Sequence, residues 1–182
     1  MKVMLDAGHG YQTPGKRSPD GMKEYDFNRA VAAYAKLFLD KHKGVEVYFS
    51  HSDKEDVPLH KRAALANSIG VDIFISIHAN AFGDGTWNNA CGIETFVHTS
   101  KPKQAISLAK KIQSTVTAMT GLPDRGVKTA NFQVLRETKC PAVLVECGFM
   151  TNRQEAKLLQ SNHYRKLCAK AITISIAGSV PR

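Results

Sequence analysis

The 182-residue sequence lacks most of the short signatures that identify an enzyme or a binding module at a glance. Its four cysteines, Cys91, Cys140, Cys147 and Cys168, form no CxxC pair and no Cys/His zinc-finger spacing. They read as free thiols, with Cys147 and Cys168 packing as small hydrophobes and structural disulfides excluded. There is no HExxH, which excludes a thermolysin-like protease. There is no GxSxG, and no cysteine has an evident base partner, which argues against serine and thiol hydrolases. No Walker loop and no GxGxxG occurs. No run approaches the roughly 20 apolar residues of a membrane span. The N-terminus, MKVMLDAGHG, has one lysine and a very short apolar run, so it does not read as a signal peptide. Export by another route, removal of a signal, or release by lysis remain as expectations. Aromatics are not interleaved with basic residues as in single-strand nucleic-acid binders. No internal repeat or low-complexity segment appears.

What the chain has is enough length for one domain with a core, and an uneven charge. The formal net charge is +9. Residues 1–91 carry 11 Lys/Arg and 11 Asp/Glu, whereas residues 92–182 carry 14 and 5, so the whole excess lies in the second half. Such a half suits an anionic partner.

Apolar patterning predicts strands alternating with helices. Lys2 to Asp6 reads as a strand that runs into a glycine-flanked histidine, His9. A loop over 11–23 follows, then a helix on Phe27, Val31, Tyr34 and Phe38, with Glu24 at its first turn. Val45 to Ser50 is a strand, and Asp56 to Ile69 a helix with Pro58 in its first turn and Gly70 behind it. Val71 to Asn80, VDIFISIHAN, is a strand buried on both faces. Gly92 to His98 is a strand, and a long basic helix capped by Ser100 follows. Residues 122–140 read as a loop with a short strand near Phe132 to Leu135. AVLVECG, opened by Pro141, is another buried strand. Asn152 and Glu155 form a capping-box pattern. A last helix spans Ser161 to about Ala177. The expected fold is α/β, a single domain with a twisted, mostly parallel central sheet of about six strands and helices on both faces. In such sheets ligands bind at the carboxyl ends of the strands.

Three apolar strands end in ionisable residues: His9, His78 and Glu146. A parallel sheet gathers these at one edge, and Glu24 can be brought to the same edge. Two imidazoles and two carboxylates fit a catalytic zinc, which takes three protein ligands and leaves a position open for water. Zinc lowers the pKa of water towards about 7 and polarises a scissile carbonyl. Glu146, on an apolar strand that raises its pKa, suits the general base and acid. Glu24, in a polar loop context, suits the ligand role, with Glu94 as its competitor. His42, His51, His60, His98 and His163 read as surface residues.

At these residues the sequence resembles the zinc-dependent N-acetylmuramoyl-L-alanine amidases of bacterial autolysins and phage endolysins. The matching pieces are LDAGHG, the glutamate of KEYDFN, the arginine and AN of HKRAALAN, SIHAN, and PAVLVECGFMTN followed by EAKLL. The resemblance implies one Zn2+ per chain on His9, Glu24 and His78, with Glu146 as the catalytic carboxylate. It implies cleavage of the amide between N-acetylmuramic acid and the L-alanine of the stem peptide, at the bacterial cell wall. Residues 1–178 would be the catalytic domain and 179–182 a tail or the start of a linker. The family often has proline where Ala7 stands and a basic residue where Tyr25 stands. Some relatives carry a long regulatory helix after the second histidine. The short segment from Asn80 to Cys91 here implies an open cleft. Asn80 and Arg136 are candidate substrate contacts. Peptidoglycan is then the expected partner, with anionic wall polymers drawn to the basic half. The chain is expected to be a monomer that binds no nucleic acid. The main alternative is another zinc peptidase or carboxypeptidase acting on wall peptides, with Arg136 or Arg125 as a carboxylate clamp. A non-enzymatic basic binder leaves the buried position of Glu146 unexplained.

Overall fold

The structure, a computed structural model, describes residues 1–13 and 16–177; the tail expected at 179–182 lies outside the described residues. The chain runs β1 (Lys2–Ala7), α1 (Glu24–Leu39), β2 (Glu46–Phe49), α2 (Leu59–Ile69), β3 (Ile73–Asn80), β4 (Ile93–His98), α3 (Lys103–Thr120), β5 (Asp124–Ala130), α4 (Gln133–Glu137), β6 (Ala142–Phe149), α5 (Arg153–Gln160) and α6 (Asn162–Ala177). The strands form one six-stranded sheet in the order β2-β1-β3-β6-β4-β5. β2, β1, β3 and β6 run parallel, β4 is antiparallel to β6, and β5 is parallel to β4. The expected α/β sheet is what forms.

Successive residues of a strand turn to opposite faces, and this divides the core in two. Val3, Leu5, Ile73, Ile75, Ile77, Val143 and Val145 pack with α1, α3 and α6. Met4, Phe74, Ala142 and Leu144 face the other way, against Ala66 of α2 and Val134 and Leu135 of α4. Further along that second face the same alternation presents Asp6, Ser76, His78, Glu146 and Glu94. The smaller cluster therefore stops short of the carboxyl ends of β1, β3 and β6, and polar residues occupy the remaining edge.

Several local expectations are corrected. The strand in 122–140 is β5, Asp124–Ala130, and Phe132 to Leu135 instead opens α4. β5 is an edge strand, DRGVKTA, whose charged residues hide any apolar alternation. Phe132 and Val134 mimic strand spacing, but the Leu135 and Arg136 amides both return to the Phe132 carbonyl, as in a helical turn. Ser100 does not cap α3; Pro102 occupies that place, and the Ser100 hydroxyl meets His98 Nδ1 at 2.9 Å. The capping box before α5 is half formed. Asn152 accepts from the Gln154 and Glu155 amides, but the Glu155 carboxylate instead accepts from the Gly92 amide at 2.7 Å and the Phe149 amide at 2.6 Å. Glu155 thus ties the start of β4 to the end of β6, a long-range role that local sequence does not reveal. All four cysteines are free, with Cys147 and Cys168 buried. Among the described residues no helix is long and apolar enough to cross a membrane.

Candidate metal centre and catalytic cleft

His78 lies near the end of β3, where the apolar run gives out, and β6 sets Glu146 directly beside it in register. β4 then sets Glu94 opposite Glu146. His78, Glu146 and Glu94 thus form a row across three adjacent strands at the carboxyl edge of β3 and β6. His9 follows β1 in the left-handed backbone region, with φ of 65°. Its neighbour Gly8 cannot be replaced, because a Cβ there would stand 2.0 Å from the His78 imidazole. The glycine therefore admits the His78 ring to the space beside β1. Glu24 is the first residue of α1, where the helix dipole favours a carboxylate.

These three side chains converge. Glu24 Oε1 lies 2.8 Å from His78 Nδ1, and Glu24 Oε2 lies 3.1 Å from His9 Nε2. One donor atom from each of the three residues falls within 4.8 Å of the others. Glu24 is buried, and it also accepts from the Ala79 amide at 3.2 Å and from Asn28 Nδ2 at 3.1 Å. Burial works against its ionisation, but the hydrogen bonds and charges of His78 and His9 outweigh that and hold its pKa well below the usual carboxylate range. Burial likewise works against protonation of His78, and Glu24 outweighs it, so the His78 pKa is raised. A buried carboxylate between two imidazoles, each presenting a ring nitrogen, is a nitrogen and oxygen donor set suited to zinc, and the residues fit such an ion.

Glu146 stands apart from that triad but in the same cavity of about 580 Å³, which His9, Glu24, His78, Asn80, Lys16 and Phe132 also line. Its Oε2 is out of solvent and has no hydrogen-bond partner. Burial pushes its pKa up to about 8; the Glu24 and Glu94 carboxylates add to this, and His78 and Lys16 oppose it. A carboxyl group poised near neutrality is suited to taking up and returning a proton.

The other expected residues are placed as follows. Glu94 does not compete with Glu24. It is buried, with Arg125 Nε at 2.8 Å and Lys128 Nζ at 2.5 Å on one oxygen and Asn80 Nδ2 at 2.7 Å on the other. Asn80 lines the cavity with its amide turned to Glu94. Arg136 does not line it. Its guanidinium bonds the Asn131 side chain at 2.9 Å and Glu137 at 3.3 Å, and Gln133 of the same helix lines the cavity instead. His51 is not a simple surface residue. It is half-buried, its Nδ1 accepts the Ala7 amide at 3.1 Å, and burial lowers its pKa.

Two further polar residues hold the site: Asn28, which was not singled out from the sequence, and Arg62, which was named only as the arginine of the matching HKRAALAN piece. Asn28, wholly buried, donates to both the Gly8 carbonyl and Glu24. Its signal was its position one helical turn after Glu24. Arg62 of α2, 2% exposed, reaches over the sheet edge. It pairs with Asp6 at 2.9 Å and donates to the carbonyls of Ala7, His9 and Val57.

The family described as N-acetylmuramoyl-L-alanine amidase matches residues 3–178 of this chain. The chain belongs to that family. It is 34% identical over 171 residues to the N-acetylmuramoyl-L-alanine amidase CwlM of Bacillus licheniformis, covering 93% of this chain and 65% of that protein. It is 34% identical over 167 residues to the endolysin of Bacillus phage SPP1, covering 89% of this chain and 59% of the endolysin. The chain therefore spans somewhat less than two thirds of the length of these relatives. A solved N-acetylmuramoyl-L-alanine amidase from Clostridium difficile 630 superimposes with a TM-score of 0.92 at 34% identity, covering 97% of this chain and 95% of that one. Every residue of the triad and Glu146 lie within the part of this amidase-family chain that the family matches.

Proposed function

We propose that this chain is a zinc-dependent peptidoglycan amidase that hydrolyses the bond between the lactyl group of N-acetylmuramic acid and the L-alanine of the stem peptide. The observation that carries the reading is the pairing of a His9–Glu24–His78 donor set with a buried, unpartnered Glu146 oxygen in one cavity, within a chain of this family.

His9, Glu24 and His78 would hold one zinc ion, and that ion supplies Lewis-acid polarisation of the scissile carbonyl. The Glu146 carboxylate takes a proton from the attacking water as the new carbon–oxygen bond forms. The same carboxyl group returns that proton to the amide nitrogen as the carbon–nitrogen bond breaks, leaving a lactyl carboxylate and a free alanine amine. Asn80, fixed by Glu94, is the substrate contact we retain. The carboxypeptidase reading names Arg125 or Arg136 as the clamp for a terminal carboxylate. Arg125 is engaged by Glu94 and Arg136 by Asn131 and Glu137, and neither lines the cavity.

The test is hydrolysis of purified muropeptides with mass analysis of products, alongside metal analysis. Wild-type protein is expected to carry zinc and to expose a new N-terminal alanine. His78→Ala is expected to lose both metal and hydrolysis. Zinc and turnover that survive in His78→Ala overturn the reading, and release of terminal amino acids favours the carboxypeptidase.

The basic second half gives a further expectation under the same reading. Lysis of whole walls falls as salt shortens the electrostatic reach to about 8 Å at physiological ionic strength, while hydrolysis of small soluble muropeptides changes little. Parallel assays of both substrates across a salt series check it, and salt-insensitive wall lysis refutes it.

A further inference from the structure

Behind His78 runs a chain of polar side chains that the proposed reaction does not use. Ser76 sits two residues earlier on β3, on the same face, with its Oγ 3.1 Å from His78 Nε2. The same hydroxyl donates to Asp6 Oδ2 at 2.5 Å. Asp6 is buried and ion-paired with Arg62 at 2.9 Å, and its other oxygen also accepts from the Ser50 hydroxyl at 2.6 Å. A bland account exists: Ser76 and Ser50 satisfy a buried carboxylate, and His78 merely lies nearby.

Proton counting takes the chain further. A serine hydroxyl has one proton to donate, and an ionised carboxylate has none. The proton of Ser76 is therefore committed to Asp6, and Ser76 offers only a lone pair towards His78. Nε2 must then bring the proton to that contact. As a metal ligand the ring must be neutral, and a neutral imidazole carries one proton, so Nδ1 is left with a bare lone pair. Nδ1 is the atom that faces Glu24 Oε1 at 2.8 Å. Without a metal, a proton of the charged ring fills that contact; in the neutral ring, two acceptors at that separation repel unless a metal cation stands with them.

We propose that Asp6 and Ser76 are positioning residues that fix His78 in its Nε2–H tautomer, making Nδ1 the metal-binding atom. Arg62 extends the arrangement to the first ligand. The guanidinium that anchors Asp6 also holds the His9 carbonyl, beside which the backbone takes its left-handed turn. One side chain on α2 thereby fixes the His9 backbone and, through Asp6 and Ser76, the His78 ring. Outer partners of this kind typically change metal affinity by about 10–100-fold when removed. The inference rests on the reading of the triad as a metal site, but not on the identity of the substrate.

The experiment uses the full chain with 15N-labelled histidine, loaded with 113Cd as a probe for zinc. The wild type is expected to show one-bond coupling from cadmium to His78 Nδ1 and a proton on Nε2. Coupling to Nε2 overturns the proposal. Zinc affinity is measured by competition with a chelator. Ser76→Ala is expected to bind zinc about 10–100-fold more weakly. Ser76→Thr, which keeps the hydroxyl, is expected to restore it to within a few-fold, a rescue that a purely steric role for Ser76 would not give. Asp6→Asn presents an amide proton to Ser76, which turns the serine proton towards His78 and favours the wrong tautomer. Its affinity loss is expected to match or exceed that of Ser76→Ala. Unchanged zinc affinity in Ser76→Ala refutes the proposal, and if that variant does not fold, the wild-type cadmium spectrum decides alone. A wild-type chain that takes up neither metal overturns the metal reading and this inference together. Metal uptake without muropeptide hydrolysis overturns only the amidase reading.

Discussion

Glu146→Gln is expected to keep zinc at wild-type stoichiometry and to lose turnover by about 10³-fold, within the range typical for removal of a general acid–base group. Glutamine preserves shape and volume, and Glu146 Oε2 makes no hydrogen bond whose loss would disturb the His9–Glu24–His78 donors. What disappears is the ability of the carboxyl group to take a proton and give it back. Metal analysis and steady-state hydrolysis of a defined muropeptide on the same preparation separate the two roles. A Glu146→Gln protein that retains a tenth or more of wild-type turnover would remove Glu146 from the mechanism. A variant that loses its metal would make it a ligand.

The same substitution has a second consequence, on stability. The folded-state pKa of Glu146, about 8, lies above its ordinary value of 4.5. A group raised in this way contributes its full stability below the unfolded value and loses it as pH rises through the folded one. Metal-free wild-type protein should therefore lose stability from this group between pH 4.5 and about 8, and the Gln variant should not. Above that window the metal-free Gln variant is expected to be more stable by about 2–5 kcal/mol, while the two are close to equal near pH 4.5. Urea unfolding at the two pH values reads this directly. The catalytic carboxylate is held where folding alone would not place it, as functional groups often are.

That cost is also why Glu146 was legible in the sequence. A glutamate closing AVLV contradicts its own apolar context, and the contradiction points to chemistry. His78 announced itself the same way at the end of IFISI, and the period-2 burial of β1, β3 and β6 followed from their unbroken apolar runs. What stayed hidden depends on contacts distant in sequence. Arg62 stands in the HKRAALAN piece that carries the resemblance, but nothing near it says that α2 lays it across the end of β1, 56 residues away, onto Asp6. Glu155 reads as half of a capping box, and only the sheet reveals that it binds the Gly92 amide, 63 residues distant. β5 escaped because an edge strand exposed to water has no need of alternation. Its two cations, Arg125 and Lys128, acquire meaning only once β4 places Glu94 between them and Asn80.

Arg62→Ala is expected to destabilise the protein by about 3–5 kcal/mol, the range for breaking a buried ion pair. The cost lies in what remains behind. Asp6, 1% exposed, would keep a charge with only the Ser50 and Ser76 hydroxyls to meet it. The pKa of Asp6 shows the balance. Burial opposes its ionisation, and Arg62, followed by the two serines and His78, turns the shift downward. The Ala7 and His9 carbonyls would also lose their donor. Against the 5–15 kcal/mol typical of whole domains this is a large share, and for a chain of this size it lowers Tm by about 6–20 °C. Arg62→Lys should recover little, since an ammonium cannot reproduce a fork that serves Asp6 and three carbonyls at once. Adding Asp6→Asn to Arg62→Ala removes the stranded charge, so the double variant is expected to be less destabilised than the sum of the single changes by about 1–3 kcal/mol. Denaturant unfolding of the four proteins gives that coupling energy. Strict additivity would mean that the pair is no more than two neighbours. Strong coupling would identify it as the unit that holds the end of β1, and with it the His9 turn, against α2.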